Sequence, residues 1–338
     1  MRYRTAEAGG VALLLAFLVL LILISVIGAM VLTSRHTKTV AENHIADLQN
    51  SYGVRGGYER ALLLLQDDLE RGTEIDSLAE GWASPVQFAL GRAQVKAVVV
   101  DTERFVNLGR LVDDKGEAVP AVADALRRLV RLLRHPPDVA DRILDYVDAD
   151  RKGAYEMRAR NEPLMNAEEL LRVEGIKPEV LYGGDVGGDV RKGILEFVTV
   201  WPRGKGSGPA TVNVNTAPSE VLQSLADEMT PQAVEAIIAW RMQPGQDLKP
   251  QGFKTVDDVK KVPGLAGPAF EAIKGSLAVT STTFEVRVRS AVNNVEKAWV
   301  YVVKRDAPKD GKGGGVKLLA NQRLNDFLTV KPPEELRD

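Results

Sequence analysis

The chain has 338 residues, of which 45% are hydrophobic and 27% charged, with a formal net charge of -2. That length carries one large core or two smaller ones, and two folded domains are expected; the near-zero charge gives no global pull toward nucleic acid, anionic lipid or acidic substrates. There is no cysteine, which excludes a disulfide framework, thiolate catalysis and cysteine-ligated zinc or iron-sulfur sites.

From Val11 to Thr33 run 23 residues without a charge or a proline. As a helix they span roughly 34 Å, enough for a hydrocarbon core of about 30 Å. A cleaved secretory signal has a shorter apolar region, and Arg35, His36 and Lys38 close the far end like a stop-transfer flank, so an anchor is expected. Arg2 and Arg4 precede the segment and Arg35 and Lys38 follow it, so charge alone leaves its orientation open. Before the span lie Glu7 and the pair Gly9 and Gly10, which read either as a flexible entry to the anchor or as a processing site.

Beyond the membrane edge the helical pattern continues from Thr37 to Arg71 through Val40, Ile45, Leu48, Tyr52, Tyr58, Leu62 and Leu65. Gly53, Gly56 and Gly57 are expected to loosen or bend it. "GRAQVKAVVVDTERFVNL" reads as a strand. "TFEVRVRSAVNNVEKAWVYVVKR" alternates at Phe284, Val286 and Val288, turns at Asn293 and Asn294, and returns through Trp299, Tyr301 and Val303, a hairpin.

Between these strands, from about Pro120 to Leu277, the sequence is mainly helical. "PAVADALRRLVRLLRHPP" sets Val122, Leu126, Leu129 and Leu133 on one face, and "NAEELLRV" carries Asn166 and Glu169 at capping-box spacing. Thr230 before Pro231 and Thr255 before Asp258 mark two more helix starts. Since the final hairpin needs the earlier strand beside it, the helical block is predicted to be an insertion in a sheet domain. The tail beyond Pro308, with "KDGKGGG", reads as a mobile linker.

"VNVNTAPSEVLQSLADEMTPQAVEAIIAWR" followed by "GFKTVDDVKKVPGLAGPAFEAI" resembles the tandem helix-hairpin-helix units of DNA-binding competence proteins, and "NAEELLRVEGIKPEVL" is a third, weaker copy. DNA-binding units use a Gly-x-Gly hairpin to bring backbone amides to a phosphate. Here Gly264 is followed by Ala266 at the second glycine position, Gly175 by Lys177, and "LADEMTPQAV" has neither. With Asp227, Glu228, Asp257 and Asp258 on the hairpins, a structural use as compact helix pairs is favoured over nucleic-acid binding.

Catalytic signatures such as HExxH, a nucleophile elbow, a phosphate loop or a dinucleotide fingerprint are absent from the sequence, so no enzyme activity and no cofactor are expected. His36, His44 and His135 form no constellation by spacing. Asp145, Asp148, Asp150 and Glu156 cluster in "LDYVDADRKGAYE" as oxygen ligands do around a hard cation, although the EF-hand spacing fails. Calcium in a looser loop stands there against a solvated acidic turn or ion pairs with Arg151 and Arg158. "GGDVGGDV", with Asp185 and Asp189, reads as a turn.

These pieces together resemble the minor pseudopilin K of type II secretion, over nearly the whole chain to about Arg305. The features that carry the likeness are the glycine-preceded apolar run opening "VALL", the acidic "DYVDAD", "NEPLMNAEELLRVEGI", and "VNVNTAP" with its following helix. The resemblance implies an α+β, type IV pilin-like fold: a long, partly transmembrane N-terminal helix on an antiparallel sheet, with a large helical domain inserted in that sheet. It divides the chain into a leader (1–10), a transmembrane helix (11–34), pilin-like helix and first strands (35–107), an inserted helical domain (108–280), closing strands (281–305) and a flexible tail (306–338).

It further implies cleavage after Gly10 by a prepilin peptidase, N-methylation of Val11 as the mature N-terminus, and a place at the tip of a periplasmic filament. The implied partners are the I- and J-type minor pseudopilins, the pseudopilus and the inner-membrane secretion platform. The N-terminus would be cytoplasmic, the helix in the bacterial inner membrane and the bulk periplasmic. Most pilins carry an acid at the fifth mature position; here it is Leu15, which suits a subunit with no neighbour above it, since a buried acid without a partner is costly in lipid. The competing reading is a membrane-anchored, competence-type DNA-binding protein using the hairpins.

Overall fold

In a computed structural model, the described residues are 4–72, 74–150, 152–203, 210–245, 250–306 and 314–324. Helix α1 runs unbroken from Arg4 to Arg71 and is followed by strands β1 (Val86–Leu90), β2 (Ala93–Asp101) and β3 (Val106–Asn107). Next come α2 (Pro120–Leu132), α3 (Val139–Val147), α4 (Pro178–Tyr182), β4 (Gly183–Val186), β5 (Asp189–Lys192), β6 (Val198–Thr199) and β7 (Val212–Asn213). The chain closes with α5 (Ser219–Ser224), α6 (Pro231–Arg241), α7 (Pro268–Ile273), β8 (Leu277–Ala278), β9 (Thr283–Val292), β10 (Val295–Asp306) and β11 (Gly315–Leu324).

The main sheet is antiparallel in the order β1-β2-β9-β10-β11. β2 and β9 pair with Val99 opposite Val286, although 187 residues of sequence part them. The alternation read in β9 places Phe284, Val286, Val288 and Val292 in the core under α1, and the turn falls at Asn293, whose φ of 52° suits asparagine. β2 is covered on both sides: Val95, Ala97 and Val99 meet α1, while Val98 and Val100 pack with Phe105 on the other face.

Two expectations about α1 change. The glycines neither loosen nor break it; they let it lie close on the sheet. A Cβ on Gly53 would stand 2.2 Å from Ser290 Oγ, and one on Gly57 would stand 2.5 Å from Val288 Cγ1. The buried face is accordingly the small-residue one, with Ala46, Val54, Ala61 and Leu65, whereas Val40, Ile45, Leu48 and Tyr52 point outward. Apolar periodicity finds stripes but does not say which of two stripes the protein itself covers.

The tail also differs from expectation. Its first residues lie outside the description, but Gly315–Leu324 form a fifth strand paired with β10, from Asp306 opposite Gly315 to Ala298 opposite Leu324, with a bulge at Val302/Val303. The glycine run masked a segment whose Val316, Leu318 and Leu319 find a sheet edge to pair with.

Between β2 and β9 the inserted elements build a separate core. Val122, Leu126, Leu129 and Leu133 of the predicted α2 face are all in it, with Ile143 of α3, Leu181 of α4 and Ile237 of α6. Two short parallel pairings, Val106 with Val198 and Val212 with Leu277, tie the insert's start and its end to its middle.

Candidate functional site

Gly10, Val11 and Leu15 lie on α1, exposed along a helix whose first buried position among the described residues is Ala46. This is the one helix among the described residues long and apolar enough to cross a membrane. Most of the leader's own side chains, and Met1 to Tyr3 altogether, lie outside the described residues.

The acidic loop opens where α3 ends. Asp148, Asp150 and Glu156 can each bring a carboxylate oxygen within 4.8 Å of the others. Asp148 is only 7% exposed, and its Oδ1 is a buried acceptor without a partner. Burial first, then the like charges of Asp150, Glu156 and Asp145, push its carboxyl up to about 6. A divalent cation would satisfy the orphaned oxygen and relieve that repulsion, so these residues fit hard-cation chemistry.

Asp145 falls outside this convergence. Its Oδ2 accepts the Tyr155 N–H at 2.9 Å, and the chain at Gly153 passes so close that a Cβ there would lie 1.9 Å from the same oxygen. The sequence singled it out as a fourth ligand because it shares the loop; in space it shapes the loop instead.

Asn161, unremarked in the sequence, holds the loop closed by donating through Nδ2 to Asp148 O at 2.9 Å and Glu156 Oε2 at 3.2 Å. Its side chain is five residues past Glu156 and gave no pattern to find. Arg151 and the side chain of Arg158, the alternative ion-pair partners, lie outside the described residues. The "GGDVGGDV" segment is the tip of the β4–β5 hairpin, turning at Gly187 and Gly188, whose φ values are 65° and 90°.

The three sequence repeats fall on α5 and α6, on a 3-10 segment Val256–Lys261 followed by α7, and on a 3-10 segment Ala167–Arg172 followed by α4. Asn166 caps the last of these through Glu169 N at 2.9 Å. The predicted reciprocal bond is not made, because Glu169 is buried and turns to Arg160 and to Met165 N. Thr255 and Asp258 do close their box, and Thr230 caps α6.

On the second pair, Gly264 and Gly267 are left-handed at φ 83° and 87° and open to solvent. The cations beside them are engaged: Lys260 pairs with Asp257 at 2.6 Å, Lys261 with Asp258 at 2.5 Å, and Lys274 with Glu271. Asp227 is likewise structural, tied to Arg128 of α2 at 2.7 Å.

A long helix half free of its own domain, seated on an antiparallel sheet that carries a helical insert between two neighbouring strands, defines a pilin-like fold. Residues 212–280 match the family described as type II secretion system (T2SS), protein K. Among solved structures the chain is similar to a chain of the GspK-GspI-GspJ complex of the enterotoxigenic Escherichia coli type 2 secretion system, at TM-score 0.62 and 20% identity. That alignment covers 86% of this chain and 99% of the other, and it establishes the fold.

Among curated proteins the chain is similar to ComE operon protein 1 of Bacillus subtilis (strain 168), 42% identical over 76 residues. The match takes in 22% of this chain and 32% of that protein, so the chain spans about a third of its relative's length. The resemblance to the type II secretion minor pseudopilin K therefore stands on the family's own segment and on the fold together.

Proposed function

We propose that this chain is a non-enzymatic minor pseudopilin that sits at the tip of the type II secretion pseudopilus with I- and J-type partners and supports protein export across the outer membrane. The observation that carries this reading is the bare N-terminal half of α1: from Val11 to Tyr52 its large apolar side chains are exposed, beyond what a bilayer covers, so Val40, Ile45, Leu48 and Tyr52 are free to pack on partner helices. The insert adds bulk on the sheet that a further subunit would have to clear.

In this reading the prepilin peptidase cuts after Gly10, Val11 becomes the methylated N-terminus, and Leu15 stands where other subunits need an acid. Met1 to Gly10 is cytoplasmic, the apolar helix lies in the inner membrane, in contact with the secretion platform, and the remainder is periplasmic. Calcium held by Asp148, Asp150 and Glu156 would stiffen the loop after α3. Co-expression with a prepilin peptidase and mass spectrometry of the product tests the assignment. An N-terminus at methylated Val11 supports it; retained Met1, or cleavage beyond Ala29, sinks it.

The competence-type DNA-binding reading rests on the 76-residue likeness to ComE operon protein 1. It is disfavoured because the lysines it needs are neutralised on their own helices.

A further inference from the structure

The insert leaves the sheet after Asp101 and returns before Thr283, and the segments that meet at this crossing are polar yet enclosed. Asp76, Asp101, Asn213, Thr216 and Ser281 are each no more than 3% exposed. Asp101, the last residue of β2, is the hub. Its Oδ2 accepts from Thr216 Oγ1 at 2.6 Å, Ser281 Oγ at 2.7 Å and Asn213 Nδ2 at 3.2 Å, while its Oδ1 accepts from Glu103 N at 2.8 Å.

Asn213 Nδ2 also lies 2.9 Å from Ser281 Oγ and 3.0 Å from Asp76 O. Asp76 in turn accepts Ser281 N at 2.7 Å and the guanidinium of Arg305. One carboxylate thus joins the sheet (Asp101), the insert (Asn213 and Thr216) and the returning strand connection (Ser281).

We propose that the "VNVNTAP" segment is a latch that holds the helical insert and the pilin-like sheet as one rigid body, closed through Asp101, and that this latch is proton-linked, tightening as the pH falls. The geometry lets Asp101 take a proton without breaking the network. Thr216 Oγ1 also lies 3.4 Å from Asn213 O, so the hydroxyl can turn to that carbonyl and accept from a protonated Asp101.

The charged groups that face the joint are Asp68 from α1, Asp76 and Glu80 from the connection to β1, Asp101 and Glu103 at the end of β2, and Arg305 from β10. Arg305 is the cation on the sheet side; on the insert side the buried Arg241 donates to Val214 O and Ala217 O of the latch segment at 2.8 Å each, with Arg104 near it, while the groups bonded to Asp101 itself are neutral donors. Burial, opposed by the hydrogen bonds from Thr216 and Ser281, leaves Asp101 raised to about 6. The folded joint therefore binds a proton more readily than the unfolded chain, and stability is gained as the pH falls through that region.

The chain has no cysteine, so spin labels at Gln87→Cys on β1 and Glu235→Cys on α6 report the insert's position in the full chain in detergent. The unaltered latch should give one narrow distance distribution; Thr216→Val and Asp101→Ala should each broaden it, while Asp101→Asn, neutral like the protonated acid, should leave it narrow. The thermal midpoint should rise by several degrees between pH 7.5 and 5, and Asp101→Asn should lose a substantial part of that rise. If Asp101→Asn does not fold, Thr216→Val and Ser281→Ala carry the pH arm, since removing a donor should move the rise to higher pH. Narrow distributions in every variant overturn the latch, and an unchanged pH response overturns the proton link.

Discussion

Gly57 is where a single hydrogen in place of a methyl sets the distance between helix and sheet. An alanine there would press on Val288 Cγ1 at 2.5 Å and Val95 Cγ1 at 3.0 Å, both buried and both on strands. The expected cost is about 1–3 kcal/mol, as for overpacking. Gly56 faces no atom closer than 3.6 Å, so Gly56→Ala should instead stabilise by up to about 1 kcal/mol through helix propensity. Thermal unfolding of the two variants side by side checks the pair, and equal effects would contradict the assigned face. At Asp148 the matching expectation concerns metal. Calcium titrated into the chain should raise its thermal midpoint, and Asp148→Asn should abolish the rise. Because the carboxyl titrates at about 6, protons compete, and affinity should fall up to tenfold between pH 6 and 5 by calorimetric titration.

At the scale of elements, β11 decides what β10 exposes. Its pairing covers β10 from Ala298 to Asp306 and brings Val316 against the sheet core. Truncation after Asp306 should lower stability by about 2–9 kcal/mol, summing nine cross-strand pairs at about 0.2–1 kcal/mol each. It should also make the chain aggregate through the bared edge, measurable by light scattering. The hairpins of the insert carry a different expectation. With Lys260, Lys261 and Lys274 bound to their own acids, binding to duplex DNA should be no tighter than about 10 μM at 0.15 M salt, and Lys260→Ala should leave it unchanged. Tight, salt-steep binding in a filter or anisotropy assay would revive the competence reading.

For the whole molecule, pH acts chiefly through the junction between the two cores, with Asp148 of the acidic loop adding in the same direction and His135, lowered by burial, opposing it. Burial raises Asp76 and Asp101 to about 6 and Glu80 to about 8. All three bind protons more readily folded than unfolded, so their ionisation costs stability as the pH rises from about 4 to 8. The acids with lowered values, such as Glu169 and Asp227, are ionised in both states above about pH 5 and leave that trend alone. The thermal midpoint of the full chain should therefore be higher at pH 5 than at pH 8. A midpoint that climbs with pH instead would mean these carboxyls are better solvated than their burial indicates.

What sequence by itself determined is what neighbours along the chain enforce. The apolar span, the α2 face, the caps at Asn166, Thr230 and Thr255, and the turn at Asn293 each follow from a period or a local hydrogen bond within a few residues. The tertiary structure decided everything that depends on distant partners. It chose which stripe of α1 meets the sheet, recruited β11 beside β10, drew Asp148, Asp150 and Glu156 together while diverting Asp145, and buried Asp101 against Ser281 180 residues away. The "VNVNTAP" segment was legible as a signature but not as a joint, because its partner carboxylate sits in an ordinary-looking strand end. Periodicity records how a segment can be covered, and only the folded chain supplies what covers it.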